Sequence, residues 1–312
     1  MEIKNVTVAG GGVLGSQIAY QSAYKGFDVT VWVRSEASIE RAKPKFERLL
    51  GIYLNTLETM KTDARAYCRG LAASPDISVE EIDLLKKRAE EAFASITFTT
   101  SFEEAAGDTD LVIEAIAEDP AQKIDFYGKL AEVMPDKTIL VTNSSTLLPS
   151  MFAEATGRPT QYLALHFANE IWRNNTAEVM GHAGTDAQAY NEVVEFAEAI
   201  GMIPLKLRKE QPGYILNSLL VPFLNSAQAL LANDVADPET IDKTWMLATG
   251  APLGPFRILD IVGLTTAYNI VSMNPQAADP DTTPGKIAAT LKRYIDEGKT
   301  GVNAGEGFYS YK

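Results

Sequence analysis

The run V-T-V-A-G-G-G-V-L-G, from Val6 to Gly15, constrains this chain more than any other stretch. The β-branched segment Val6 to Val8 enters a turn in which Gly10, Gly12 and Gly15 take the G-x-G-x-x-G spacing, with Val13 and Leu14 in the variable places. A helix of small residues, Gly15 to Lys25, follows. Strand, glycine turn and helix in that order form a dinucleotide-binding unit. Gly10 makes the tight turn, Gly12 lets a pyrophosphate approach the backbone, and Gly15 lets helix and strand pack closely. The helix N-terminus adds unpaired N–H groups and a positive dipole end. Gly10, Gly12, Val13, Leu14 and Gly15 are therefore expected at a nicotinamide cofactor.

The next strand, Asp28 to Val33, ends in Arg34 and Ser35. NAD-binding units carry Asp or Glu about 20 residues past the glycines to hold the ribose 2′-OH; Val33 stands there instead. A guanidinium and a hydroxyl suit a 2′-phosphate, so NADP(H) is expected in preference to NAD(H), held by Arg34 and Ser35. The alternative is a solvated Arg34, with Glu36 as the ribose ligand.

Residues 38 to 93 read as a charged helical hairpin between the second and third strands, its second helix opened by a Ser78/Glu81 capping box. Lys43, Lys45, Arg48, Lys61, Arg65 and Arg69 give it a basic side, either a binding face for phosphates or a merely solvated one. Short apolar strands follow at Ile96 to Thr99, Asp110 to Glu114, Lys137 to Val141, Tyr162 to His166, Ala177 to Met180 and Ile203 to Leu207. They describe a doubly wound, mostly parallel sheet covered on both faces. Strand signals stop at Lys209 to Gly213, and the remainder is helical, beginning with Tyr214 to Asn233. The expectation is an α/β fold: a Rossmann domain over 1–209 with a helical hairpin insertion, and an all-α domain over 210–312. Apolar faces such as Leu216 to Leu231 suit burial against a partner subunit.

The 312 residues exceed one ordinary core. A net charge of −13 argues against nucleic acid as a partner. No apolar run is long enough to span a bilayer, and the first strand begins at once, so no membrane association and a cytoplasmic location are expected. The single cysteine, Cys68, falls in what reads as a polar helical segment. It suits a reducing compartment, and no metal is expected.

The chain has two histidines. His166 ends a strand on the rim where α/β sheets bind ligands, whereas His182 falls in a loop. Ser145 ends the preceding strand, Glu178 on the next strand is placed to orient the imidazole, and Asn217 opens the long helix of the second domain.

Together these stretches resemble the L-3-hydroxyacyl-CoA dehydrogenase family, over essentially the whole chain. The matching segments are Gly10 to Gly15, Asp110 to Glu118 (D-L-V-I-E-A-I-A-E), Asn143 to Ser145, His166 to Asn169 (H-F-A-N), Glu178-Val179, Pro212 to Asn217 (P-G-Y-I-L-N), Ala251 to Phe256 (A-P-L-G-P-F) and Gly305 to Tyr309 (G-E-G-F-Y). The resemblance implies an oxidoreductase that interconverts L-3-hydroxyacyl-CoA and 3-ketoacyl-CoA. His166 is then general acid/base, Glu178 its partner, and Ser145 and Asn217 contact the substrate. It implies cofactor contacts at Gly10, Gly12, Gly15, Glu118, Lys123, Ser145 and Asn169, an acyl-CoA substrate, and a homodimer formed through the C-terminal domain. The chain departs from the pattern at Val33, at Glu170-Ile171-Trp172-Arg173, where a proline usually follows H-F-x-N, and at Asn303. Two other readings are a same-fold dehydrogenase of a free hydroxy acid, of sugar-acid or carnitine type, and a non-catalytic, crystallin-like dinucleotide-binding protein.

Overall fold

The computed structural model describes residues 3–311. Its contacts divide the chain into two units, Met1–Ile215 and Leu216–Lys312. This division falls six residues beyond the change in composition, because Tyr214 and Ile215 bond back into the first unit: the Tyr214 hydroxyl donates to the Ser144 carbonyl at 2.7 Å and the Ile215 N–H to Glu178 at 2.8 Å.

The first unit is built on eight strands: β1 (Asn5–Ala9), β2 (Asp28–Trp32), β3 (Thr97–Thr99), β4 (Leu111–Glu114), β5 (Ile139–Thr142), β6 (Tyr162–Phe167), β7 (Thr176–Met180) and β8 (Ile203–Leu207). They form one sheet in the order β3-β2-β1-β4-β5-β6-β7-β8. Every pairing is parallel except β6 with β7. The order reverses between β1 and β4, which opens the crevice where such sheets take ligands. Leu111-Val112-Ile113 and Ile139-Leu140-Val141 are buried on both faces, as a covered parallel sheet requires.

The helices of this unit are α1 (Val13–Tyr24), α2 (Glu36–Met60), α3 (Val79–Ser95), α4 (Phe102–Ala106), α5 (Pro120–Ala131) and α6 (Ala187–Ala199). The capping box of α3 forms in both directions: Glu81 N–H donates to the Ser78 hydroxyl at 3.1 Å, and Ser78 N–H to the Glu81 carboxylate at 2.8 Å. The α2/α3 hairpin covers α1. Tyr53 stands edge-on to Tyr20 and Tyr24 and donates to Gln21, whose amide in turn donates to the carbonyls of Gly70 and Ile200. Most of α1 is thereby buried, and its polar Gln21 keeps partners. Cys68 lies in this core and outside any helix, contrary to the polar helical setting expected. Burial pushes its thiol pKa up, away from nucleophile chemistry.

The second unit is helical: α7 (Leu216–Ala232), α8 (Pro238–Thr249), α9 (Pro255–Val262), α10 (Leu264–Ser272) and α11 (Thr283–Asp296). Two buried carboxylates tie its loops together. Asp242 accepts from Phe256 N–H, Arg257 N–H and the Tyr309 hydroxyl, and Asp260 from Phe308 N–H, Tyr309 N–H and the Tyr311 hydroxyl. A Cβ on Gly254 would lie 2.3 Å from the Asp242 carboxyl carbon, and one on Gly307 2.1 Å from Asp260. The segments Ala251 to Phe256 and Gly305 to Tyr309 thus owe their glycines to carboxylate packing. Among the described residues no helix is long and apolar enough to cross a membrane.

Candidate active site

The glycine turn meets the requirements of a dinucleotide. Gly10 sits at φ +126°, where a side chain is strained, and a Cβ there would lie 2.4 Å from the Ala115 carbonyl oxygen. At Gly15 a Cβ would lie 2.1 Å from the Gly10 carbonyl oxygen, yet above Gly12, the N-cap of α1, nothing lies within 4 Å. Packing dictates the outer glycines, and open space over a helix N-terminus distinguishes the middle one. Val13 is exposed in the first turn of α1, while Leu14 packs partly into the core.

Beside this turn lies a cavity of about 590 Å³ walled by Gly10 to Gly12, Ala115 to Ala117, the aromatic rings of Trp32, Phe102 and Phe126, and the cations Arg34, Arg41, Lys45 and Lys129. A flat apolar slot next to a phosphate-compatible turn suits an adenine dinucleotide. Ser35 is absent from the wall; its hydroxyl lies 3.0 Å from that of Ser38, which does line the cavity and accepts from the Arg41 guanidinium at 2.6 Å. Lys45 donates to the carbonyls of Gly11 and Arg41, which sets it in the wall of this cavity. Glu36 is not in the cavity wall, but it accepts at 3.4 Å from the hydroxyl of Thr100, which is. Ser38 and Arg41 were not anticipated, and Lys45 was expected only on the hairpin's basic side, although Ser38, Arg41 and Lys45 follow the i, i+3, i+7 spacing of one face of α2. The other hairpin cations are largely neutralised by neighbours: Lys43 by Glu40, Lys61 by Glu58 and Asp83, Arg65 by Asp63. Arg48 and Arg69 stay exposed.

Along the rim, the antiparallel pairing of β6 with β7 sets His166 directly opposite Glu178. Opposed residues share a face of the sheet, and the His166 Nδ1 lies 3.1 Å from Glu178 Oε2, both side chains buried. Glu178 Oε1 accepts the Ile215 N–H. A carboxylate only accepts, so the proton of the imidazole sits on Nδ1 and Nε2 is left as the working nitrogen. That nitrogen faces the Ser145 hydroxyl at 3.2 Å. Tyr214 covers the ring, stacked at a centroid distance of 4.3 Å and 12° between planes. Sequence reasoning missed Tyr214; a stack between residues 48 positions apart leaves no periodicity to read.

Glu118 and Lys123, both expected at the cofactor, have protein partners as well. Glu118 accepts from the Ser144 hydroxyl at 2.7 Å and from Ser145 N–H at 2.6 Å, which fixes the loop carrying Ser145. Lys123 is 1% exposed, and its ammonium is directed at both oxygens of Glu114, at 2.7 and 2.8 Å, with Glu118 at 3.6 Å. It neutralises a carboxylate that also accepts from Tyr127, Thr142 and the Ile116 N–H. Asn169 is exposed just past β6, its carbonyl accepting from Asn174. Asn217 belongs to the second unit, as the second residue of α7. His182 accepts from Gly184 N–H on Nδ1 and contacts the Pro159 carbonyl through Nε2, a loop-stapling role.

The NAD-binding domain model of 3-hydroxyacyl-CoA dehydrogenase matches residues 5–211, and the C-terminal domain model of the same enzyme matches residues 213–311. The chain belongs to the 3-hydroxyacyl-CoA dehydrogenase family. It is 31% identical to the mitochondrial hydroxyacyl-coenzyme A dehydrogenase of Homo sapiens over 99% of this chain and 92% of that protein. It is also 31% identical to a probable 3-hydroxybutyryl-CoA dehydrogenase of Deinococcus radiodurans, over 97% and 99%. Among solved structures, a diketoreductase described as performing substrate-directed dual catalysis of dicarbonyl compounds is 49% identical, with a TM-score of 0.86 and complete coverage of both chains. Within this 3-hydroxyacyl-CoA dehydrogenase fold, the departure at Glu170 to Arg173 is partly a matter of core packing. Ile171 and Trp172 are buried in the main core, Trp172 against Tyr53 beneath the hairpin. Glu170, at φ +58°, bonds through its N–H to Gln17.

Proposed function

We propose that this protein is a nicotinamide-dependent oxidoreductase interconverting an L-3-hydroxyacyl-CoA and its 3-ketoacyl-CoA. The observation that carries this reading is the Glu178–His166–Ser145 line, which ends in an imidazole nitrogen beside a hydroxyl at the sheet rim. In reduction, protonated His166 gives its Nε2 proton to the oxygen developing at C3 while the Ser145 hydroxyl hydrogen-bonds the same oxygen. In oxidation, neutral His166 takes the hydroxyl proton through Nε2, and Glu178 stabilises the resulting imidazolium. A bound nicotinamide supplies or accepts the hydride. Gly10, Gly12 and Gly15 with the Trp32/Phe102/Phe126 slot would hold the dinucleotide.

We further infer a preference for NADPH. Arg34 and the Ser38/Arg41 pair line the cavity, whereas Glu36, the alternative ribose ligand, stands outside its wall. Hydrogen bonds to a charged group contribute about 1.5–3 kcal/mol, so NADPH is expected to lead by roughly tenfold to a hundredfold in kcat/KM, and Arg34→Ala should erase most of that lead. In the second unit Leu219, Leu247, Ile261 and Met273 are all more than half exposed; apolar surface of this kind supports a homodimer, which light scattering tests.

A second reading is favoured by one observation. Identity to the diketoreductase is 49%, against 31% for the CoA dehydrogenases, and three of the six hairpin cations, Lys43, Lys61 and Arg65, are already paired with carboxylates. On that reading the substrate is a free 1,3-dicarbonyl compound. Steady-state reduction of acetoacetyl-CoA and of acetylacetone, each with NADH and with NADPH, separates the readings. A higher kcat/KM for acetoacetyl-CoA is expected, and turnover of acetylacetone alone would overturn the thioester.

A further inference from the structure

We propose that Tyr214 is a positioning residue for His166, an anchored ring that holds the imidazole in the plane shared by Ser145 and Glu178. The proposal goes beyond the assigned dyad and rests on the oxidoreductase reading for its catalytic consequence alone.

An imidazole held only by hydrogen bonds at its edge can still tilt out of its plane, and the contacts to Glu178 at 3.1 Å and to Ser145 at 3.2 Å leave this freedom in place. Tyr214 removes it. Its ring lies face to face with the imidazole, 12° from parallel at 4.3 Å, and is itself 1% exposed. The phenol oxygen is fixed because the hydroxyl donates to the Ser144 carbonyl at 2.7 Å, one residue before the Ser145 that His166 addresses. Burial drives the Tyr214 pKa up, so the phenol stays protonated and the bond persists through the working pH range.

The backbone points the same way. Tyr214 sits at φ +54°, a left-handed conformation that costs a bulky residue energy and persists only where the surroundings over-determine it. The next residue, Ile215, gives its N–H to Glu178 Oε1. Two consecutive residues thus hold both halves of the dyad, one by the ring face and one through the backbone. A stacked π face also favours the cationic imidazole that reduction consumes.

With only two histidines in the chain, 15N-histidine labelling resolves the Nδ1–H of His166, assigned by its loss in His166→Gln, with His182 as internal control. Hydrogen exchange at this proton is measured in wild type, Tyr214→Phe and Tyr214→Leu, without substrate. The expected order is slowest in wild type, severalfold faster in Tyr214→Phe, which keeps the ring and loses the anchor, and at least tenfold faster in Tyr214→Leu, with His182 unchanged. In steady state, Tyr214→Leu should lose roughly ten- to a hundredfold in kcat, in proportion to misplaced geometry, with the cofactor KM unchanged and Tyr214→Phe restoring most of the loss. Exchange in Tyr214→Leu as slow as in wild type overturns the proposal, as does a wild-type proton that is not protected. Should Tyr214→Leu not fold, Tyr214→Phe decides alone, and a wild-type exchange rate in it is the overturning result. Failure of the oxidoreductase reading would show separately, as a wild-type protein that turns over neither thioester nor dicarbonyl.

Discussion

Among the described residues of the first unit, two buried carboxylates each pair with a nitrogen base, Glu114 with Lys123 and Glu178 with His166, and the pairs differ in what remains open. Glu114 is 0% exposed and accepts from Lys123, Tyr127, Thr142 and the Ile116 N–H, so its oxygens are saturated. Burial pushes the phenols of Tyr127 and Tyr162 up, which keeps that network protonated and static. In the His166/Glu178 pair the carboxylate is equally satisfied, but Nε2 meets only a 3.2 Å contact with a serine hydroxyl on the ligand rim. The first pair is closed within the protein; in the second, the nitrogen facing Ser145 is the one proposed above to handle the substrate's proton.

Breaking each pair should therefore damage different quantities. The largest effect is expected from His166→Gln, which should lower kcat by roughly 10²–10⁴-fold and leave Tm and the cofactor dissociation constant near wild type in calorimetry and fluorescence titration. Lys123→Met should do the reverse. An uncompensated buried carboxylate costs about 3–5 kcal/mol, and at about 2–4 °C per kcal/mol a fall on the order of 10 °C in Tm is expected by differential scanning calorimetry. The double variant Glu114→Gln/Lys123→Met should recover part of that fall, and failure to recover any would mean that Lys123 acts through packing alone.

The smallest effect tests a charge that belongs to neither kind. Lys25 is half-buried over the Tyr24 ring, and burial, helped by Arg88, pulls its ammonium down to about 8. Between that value and the unfolded one, about 10.4, the unfolded chain binds the proton and the folded chain does not, so stability rises with pH across this window. The cost of the charge is complete below about pH 8. Lys25→Met should raise Tm by about one or two degrees at neutral pH, with the gain shrinking as pH approaches 10; a gain independent of pH would assign it to packing.

The strands were legible because buried parallel strands are continuous apolar runs, as at Leu111 to Ile113, and the glycine turn because Gly10 and Gly15 face backbone that tolerates no Cβ. His166 and Ser145 followed from their places at or just past strand ends, and Glu178 from its place on the neighbouring strand. Three things were not legible. The inward turn of Lys123 depends on Glu114, nine residues earlier and indistinguishable in sequence from a strand end. The antiparallel sense of β7 leaves no mark in a segment as short as Thr176–Met180. The Tyr214 stack needs a backbone at positive φ, which no residue preference announces for tyrosine.

The reversal at β7 has a consequence for how this protein comes into being. Because facing side chains alternate along a strand, a slip of one residue between β6 and β7 would send Glu178 to the opposite surface of the sheet and leave His166 without its carboxylate. The dinucleotide cavity is assembled from residues between Gly10 and Lys129 and does not depend on that pairing. In a refolding sample, nucleotide binding therefore counts chains that have closed the first half of the sheet, and turnover counts only those whose late, reversed strand has found its partner in the right frame. Catalysis here is a certificate of completed folding.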